Sequence, residues 1–328
     1  MKIKWFTNML MVGFIFFTVS GMSVVSAEGQ ELREVRLGTG FVPNIQFAPL
    51  YVAQKKGFYA QNGLDVKIEY GFENDFVALA AQGERDFSIA SGDQIILARG
   101  QGMPITYVLK WYERFPVALV SEASKGIKTP KDLIGKTVGL PGLYGASFIG
   151  WKALLYGAGI DENAITVKQI GFTQIASLQQ GVVDVAMGYI ANEPIMMKSQ
   201  GIPVNVIEVS DYINLVANGL AVGEALMKKE PELVRKMVQA TLKGILFMVE
   251  NPEAAFDIAR TAIPELTDKQ AAVQLEVLKT TVELCRSDKP GYSSEKTWQE
   301  SVDFMLKTGM LKKKIKVSSL YTNQFIGK

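Results

Sequence analysis

ITVKQIGFTQIASLQQGVVDVAMGY, residues 165–189, restates the plan of LDVKIEYGFENDFVALAAQGERDFSIAS, residues 64–91. Gly171 and Phe172 match Gly71 and Phe72, Gly181 matches Gly83, and Asp184 matches Asp86. Each copy reads as a strand, a Gly-Phe turn, a short helix closed by glycine, a turn carrying aspartate, and a buried strand. A phrase of this size met only twice is not a solenoid. It predicts two similar α/β lobes.

The flanking sequence extends the same alternation. EVRLGTGF (34–41) reads as a strand, APLYVAQKKGFYAQ (48–61) as a helix, DVKIEYG (65–71) as a strand, FVALAAQG (76–83) as a helix and DFSIASG (86–92) as a strand. Strand, helix, strand in this order implies a mostly parallel sheet with right-handed crossovers, flanked by helices. Between the copies, ITYVLKWYERFPVALVSE (105–122) reads as one long extended segment, and VNVIEVSDYINLVANGL (204–220) as a second. Two such crossovers build one lobe from both ends of the chain: 34–112 with 213–328 for the first lobe, 119–208 for an inserted second, and crossovers near 111–118 and 209–218. From the second crossover onward the pattern is helical; residues 228–250 carry an apolar stripe at Leu233, Met237, Ala240, Leu242, Leu246 and Val249. A ligand is expected between the lobes, at the carboxyl ends of the strands.

The 328 residues, 48% apolar and 21% charged, suffice for two domains with a real core. Lys2 and Lys4 precede the apolar stretch 9–25, and Val25-Ser26-Ala27 offers small residues for cleavage, so residues 1–27 read as an export signal, with a retained anchor as the alternative. No cysteine stands directly after the cleavage point, so a lipid anchor is not indicated. Removing those two lysines from 35 basic residues leaves 33 against 33 acidic ones. Nucleic acid is therefore not expected as a partner, and KKKIK (312–316) reads as a solvated tail. Cys285 is the only cysteine, so no intrachain disulfide forms. Histidine is absent, which excludes Ser-His-Asp and Cys-His catalysis, HExxH metal sites and imidazole acid–base work. With no GxSxG, P-loop or paired-carboxylate motif either, an enzyme, a cofactor and a metal are not expected.

FVPNIQFAPLYVAQKKGFYAQNGLDV (41–66), DFSIAS with the following GDQ, KTPKDLIGKTVGLPG (128–142) and ANEP (191–194) together resemble the solute-binding proteins of ABC importers, in the taurine, alkanesulfonate and thiamine-pyrimidine binding (SsuA/THI5-like, NMT1) family. The combination of FENDFVALAAQGERDFSIASGDQ, GFTQIASLQQG, GYIANEP and DYINLVANGL is most similar to the branch assigned to riboflavin uptake. The resemblance covers the chain beyond its leader. It implies a two-lobed periplasmic-binding-protein fold of type II, an exported monomer, a small-molecule ligand and an ABC permease as partner. The same fold includes fungal pyrimidine synthases, which depend on histidine and a cysteine-rich segment that this chain lacks.

Each candidate ligand contact has a purely structural alternative. Asn44, Gln46 and Phe47 follow the first strand, where Asn44 also suits a helix cap. Ser91, Asp93 and Gln94 follow the third strand, where Ser91 or Asp93 suits a cap for a helix starting at Gln94. Trp111 and Tyr112 lie in the first crossover; on a regular strand only one of the two faces a ligand. LPGLYGASF (140–148) leads into a helix near Ala146 whose free N–H groups suit a carbonyl or oxyanion, with Tyr144 placed to stack on a ring or pack under the loop. In GYIANEPI (188–195), Tyr189 closes a strand, Asn192 suits a cap, and Glu193 opens a helix. A carboxylate in a first turn is favourable by roughly 0.3–1 kcal/mol through the helix dipole alone. Its place at a strand end also suits acceptance of hydrogen bonds from a heterocycle or from ribityl hydroxyls. Asn218, in DYINLVANGL, completes the set. No arginine stands at these strand ends, Arg114 being the nearest, so a neutral planar ligand is expected over a sulfonate: riboflavin first, a thiamine pyrimidine precursor second.

Overall fold

Among the described residues ten strands form two five-stranded sheets, and each sheet is finished by a strand that arrives from the other. The computed structural model describes residues 31–327; the expected export segment lies outside them. The first sheet contains β1 (Arg33–Thr39), β2 (Leu64–Tyr70), β3 (Phe87–Ser91), β4 (Ile105–Lys110) and β10 (Asn218–Gly223), in the order β2-β1-β3-β10-β4. The second contains β5 (Val117–Glu122), β6 (Thr137–Leu140), β7 (Thr166–Gln169), β8 (Val185–Tyr189) and β9 (Val204–Glu208), in the order β7-β6-β8-β5-β9. In each, four strands run parallel and one is reversed: β10 against β3 and β4, β5 against β8 and β9. The reversed strands are the two reached by crossing between lobes.

The repeated residues have repeated jobs. Asp86 accepts a hydrogen bond from the backbone N–H of Arg36 at 2.8 Å, and Asp184 accepts one from that of Thr137 at 3.0 Å. Each aspartate thus ties the turn before the central strand to the neighbouring parallel strand, satisfying an N–H one residue before their pairing begins. Gly83 and Gly181 take positive φ (81° and 66°) where the preceding short helix ends, the backbone region glycine enters without strain. The central strands β3 and β8 are buried along nearly their whole length.

The helices between strands are α1 (Ala48–Lys55), α2 (Glu73–Gln82), α3 (Gly92–Gly100), α4 (Gly145–Ala158), α5 (Gln174–Gln179) and α6 (Glu193–Ser199). After β10 follow α7 (Glu224–Lys229), α8 (Pro231–Glu250), α9 (Pro252–Arg260), α10 (Asp268–Cys285) and α11 (Glu295–Lys307). From Leu32 onward the chain forms one compact unit.

Four sequence expectations are corrected. The two long extended segments are both broken: residues 111–116 are not strand, and 209–217 begin with a 3₁₀ turn. The second sheet starts at Val117, inside the expected first crossover. Helix 228–250 is two helices, because Pro231 disfavours helical backbone at Glu230 (φ −130°, ψ 60°). The stripe on α8 also differs in its second half: Gly244, Ile245 and Met248 are buried, whereas Leu242, Leu246 and Val249 are only partly covered.

Gly244 explains that rotation. A Cβ built there falls 2.2 Å from the carbonyl oxygen of Pro49, so α8 lies against α1 at backbone distance. Glycine to alanine in a helix interior is ordinarily stabilising by up to about 1 kcal/mol. Here Gly244→Ala is expected to do the reverse, lowering stability by about 1–3 kcal/mol through overpacking, as measured by chemical denaturation.

Candidate functional site

The carboxyl ends of the parallel strands in both sheets face one cleft of about 900 Å³, counting its open mouth. Gly40 and Phe41 enter it after β1, Phe72 and Glu73 after β2, Pro141 and Gly142 after β6, Phe172 after β7, and Tyr189 at the end of β8. This is where the loops of open α/β sheets converge on ligands.

Of the expected contacts, Gln46, Phe47, Trp111, Tyr112, Tyr144, Tyr189, Asn192, Glu193 and Asn218 line the cleft. Asn44 does not. Its Oδ1 accepts the backbone N–H of Gln46 at 3.0 Å and the Gln46 side-chain amide at 3.1 Å, so it caps the turn and orients Gln46. Trp111 and Tyr112 both line the cleft because the segment leaves strand geometry after Lys110, which lifts the one-face restriction. The buried Trp111 indole N–H lies beside the Cys285 thiol, outside the cleft lining, and makes no other hydrogen bond.

Ser91, Asp93 and Gln94 lie beneath the lining rather than in it. The helix starts at Gly92, two residues earlier than expected, and no side chain caps it. The Ser91 hydroxyl instead donates to Glu73 at 2.6 Å, and the Ser91 backbone N–H donates to the same Glu73 Oε1. Asp93 is fully buried; Oδ2 accepts from the Gln94 amide at 2.9 Å, and Oδ1 has no partner.

Glu73 is the acidic cleft residue that the sequence did not single out as a contact; nor did it single out the phenylalanines Phe41, Phe72 and Phe172. Helix α2 begins at Glu73 rather than at Phe76, which brings the carboxylate from an expected turn to a helix start over the end of β3. The only signal was an acid directly after the Gly-Phe turn, and the second copy has Thr173 there.

Glu193 closes the equivalent strand of the second lobe by another route. From the first turn of α6 its carboxylate folds back, and Oε2 accepts the backbone N–H of Tyr189 at 2.7 Å. A Cβ at Gly188 falls 2.5 Å from Glu193 Oε2, so glycine is needed for this approach. In both lobes, then, the N–H at the end of the buried central strand meets a buried glutamate.

Among the described residues, no lysine or arginine lines the cleft. Arg114 is half exposed and paired with Glu208 at 3.0 Å, away from the lining. Burial, then the neighbouring Asp93 charge, pushes the Glu73 carboxyl up to about 7; burial pushes Asp93 up to about 6 and raises Glu193. Hydrogen bonds from Ser91 and from the N–H of Ala146, at the start of α4 in the other lobe, partly offset the rise at Glu73.

Aromatic rings from the two lobes meet in the cleft lining. Phe72 stacks on Phe172 with centroids 5.1 Å apart, Phe72 meets Tyr144 edge-on at 5.5 Å, and Phe41 meets Phe172 edge-on at 4.9 Å. The two phenylalanines of the repeated Gly-Phe turns therefore touch each other. Deeper in, the Tyr189 hydroxyl donates to Asn218 Oδ1 at 3.4 Å, linking β8 to β10.

Two α/β lobes joined by two crossovers, with an aromatic, carboxylate-bearing cleft between strand ends, define a protein of the periplasmic-binding-protein fold. The alkanesulfonate-binding protein SsuA from Xanthomonas axonopodis pv. citri superposes with a TM-score of 0.71 at 14% identity, covering 89% of this chain and 99% of that one. Residues 44–255 match the NMT1/THI5 like family, and the chain belongs to it. It is 40% identical over 303 residues to the riboflavin-binding protein RibY of Chloroflexus aurantiacus, covering 90% of this chain and 86% of that one. It is also 26% identical over 308 residues to a formylaminopyrimidine-binding protein of Halalkalibacterium halodurans, covering 89% and 90% respectively. The chain is of the binding class of this family, not an enzyme.

The raised carboxyls make stability pH-dependent. With folded values of about 7 and 6 against the ordinary 4.5 and 3.8, the folded protein holds more protons than the unfolded chain inside that window. Stability is fully present below the ordinary values and is lost as pH rises through the folded ones. The ligand-free protein is expected to melt on the order of 5 °C lower at pH 8 than at pH 5. Glu73→Gln should shrink that difference in parallel thermal scans; an unchanged slope would count against the buried pair as its source.

Proposed function

We propose that this protein is the extracytoplasmic binding component of an ABC importer, taking a planar heteroaromatic vitamin or precursor in the cleft, riboflavin first. The observation that carries the reading is a cleft walled by aromatic rings and two buried carboxylates, without one cationic side chain among its lining residues. Such a wall disfavours sulfonates and other anions, whose sites need arginine or lysine. It suits a ring system that stacks on Trp111, Tyr112 or Tyr144 and offers N–H or hydroxyl donors to Glu193. Each good ring contact adds roughly 0.5–1.5 kcal/mol beyond area burial. The 40% identity to a riboflavin-binding relative supports the same ligand, and the 26% identity to a formylaminopyrimidine binder keeps a thiamine pyrimidine precursor as the second reading.

The mechanism is a population shift. A ligand touching both lobes favours the closed form, in which Phe72 and Phe172 stack, and the closed form engages the permease as a monomer. Export places the protein outside the cytoplasmic membrane; among the described residues no helix is long and apolar enough to cross one.

The test is a fluorescence titration of riboflavin with the purified protein. Saturable quenching is expected, and Glu193→Ala should weaken it at least about tenfold. Silence with riboflavin, together with a shift in tryptophan emission on adding the aminopyrimidine, would transfer the assignment to the second ligand.

A further inference from the structure

Resting on the reading of the cleft as a riboflavin site, we infer that Glu73 confines the ligand to its uncharged form. Its carboxylate fills the open N-terminus of α4 from the opposite lobe. A phosphorylated form of the vitamin therefore meets a resident anion at the place where its phosphate would otherwise be held.

Helix α4 leaves that place open. Its first turn lines the cleft with Gly145, Ala146 and Ser147, and it brings neither a capping side-chain bond nor an acid of its own. Helices α2 and α6, which also open onto the cleft, each begin with a glutamate. At 14 residues α4 carries a full helix dipole, and its first N–H groups have no partner within the helix. Among the described residues no lysine or arginine lines the cleft, so this helix end is what an anion entering it would seek.

Glu73 supplies the missing acid across the lobes. It stands at the start of α2, lines the cleft and is only 8% exposed. Its carboxylate accepts the N–H and the hydroxyl of Ser91 on its own lobe and the N–H of Ala146 on the other. Gly40 lets the start of α2 come this close, since a Cβ built there falls 2.7 Å from Glu73 Cβ. The second copy of the repeat has Thr173 at the equivalent position, so the acid belongs to one lobe alone. Behind Glu73 lies Asp93, fully buried and with Oδ1 unpartnered, which adds no cation to receive a phosphate.

The consequence is discrimination by charge at one residue. A neutral ring or a ribityl hydroxyl can donate to a carboxylate, whereas a phosphate brought beside it is repelled in a site where water screens poorly. Glu193 is also a buried cleft carboxylate, but its oxygens take the N–H of Tyr189 and the amide of Asn192 within its own lobe, away from α4.

Flavin-quenching titrations at pH 8, above the values of both buried carboxyls of the first lobe, compare riboflavin with riboflavin 5′-phosphate. The proteins are the wild type, Glu73→Gln, Glu73→Ala and Glu193→Gln. The wild type is expected to bind the phosphate ester at least about a hundredfold more weakly than riboflavin, and both Glu73 variants to bind the ester at least about tenfold more tightly than the wild type does. A wild type that binds both flavins alike overturns the inference. So do Glu73 variants that still refuse the ester, and so does a Glu193→Gln variant that gains as much for it, because the effect then follows cleft charge and not the place of Glu73. A wild type that binds neither flavin removes the riboflavin reading, and inorganic phosphate, titrated by calorimetry into the wild type and Glu73→Ala, then decides the inference by itself. Binding to the variant alone supports it; binding to both or to neither overturns it.

Discussion

The structure depends on the pairing of each sheet's central strand with a strand that comes from the opposite lobe: β3 with β10, and β8 with β5. These reversed strands supply the backbone partners that buried β3 and β8 cannot obtain from water. Because the chain crosses only at 111–116 and 209–217, the same pairing sets where the crossovers run. They pass the carboxyl ends of the parallel strands, and so they deliver Trp111, Tyr112 and Asn218 to the cleft.

The polar cost of those buried strand ends is met by carboxylates. Glu73 takes the N–H of Ser91 and Glu193 that of Tyr189, and neither bond is repeated by sequence alignment of the two lobes. The lobes thus reach one electrostatic solution from different elements, α2 in one and α6 in the other. With aromatic rings filling the rest of the wall, the cleft is apolar and acid-bearing, and its chemistry favours neutral planar molecules that both donate and accept hydrogen bonds. The inter-lobe stack of Phe72 on Phe172 belongs to the same design: the Gly-Phe turns inside each repeat are also where the lobes touch.

Some of this was legible in residue order. The Gly-Phe, glycine and aspartate positions of the repeat announced two like lobes, since a turn glycine and a strand-tying aspartate are local requirements that leave a local signature. GYIANEPI pointed to Glu193 because a strand end, a cap and a proline-marked helix start coincide there. Glu73 left no such mark: α2 begins three residues before its apolar pattern does, and the partner that makes the carboxylate matter, Ser91, stands eighteen positions away. Ser91, Asp93 and Gln94 looked like ligand contacts for the complementary reason, because a strand-end position says which level of the sheet a residue reaches but not whether another side chain will lie over it.

Composition, the absence of histidine, the single cysteine and the repeated strand–turn–helix phrase determined the fold class, excluded imidazole and disulfide chemistry, and placed the cleft between strand ends, because these depend on local preference and on which atoms the chain possesses. Tertiary structure alone decided which strands reverse, that α8 turns Gly244 toward α1, that Trp111 and Tyr112 share one face, and that Glu73 and Asp93 are buried side by side without a cation. Those outcomes are set by packing and by the local dielectric. Both arise only when segments distant in sequence exclude water from one another.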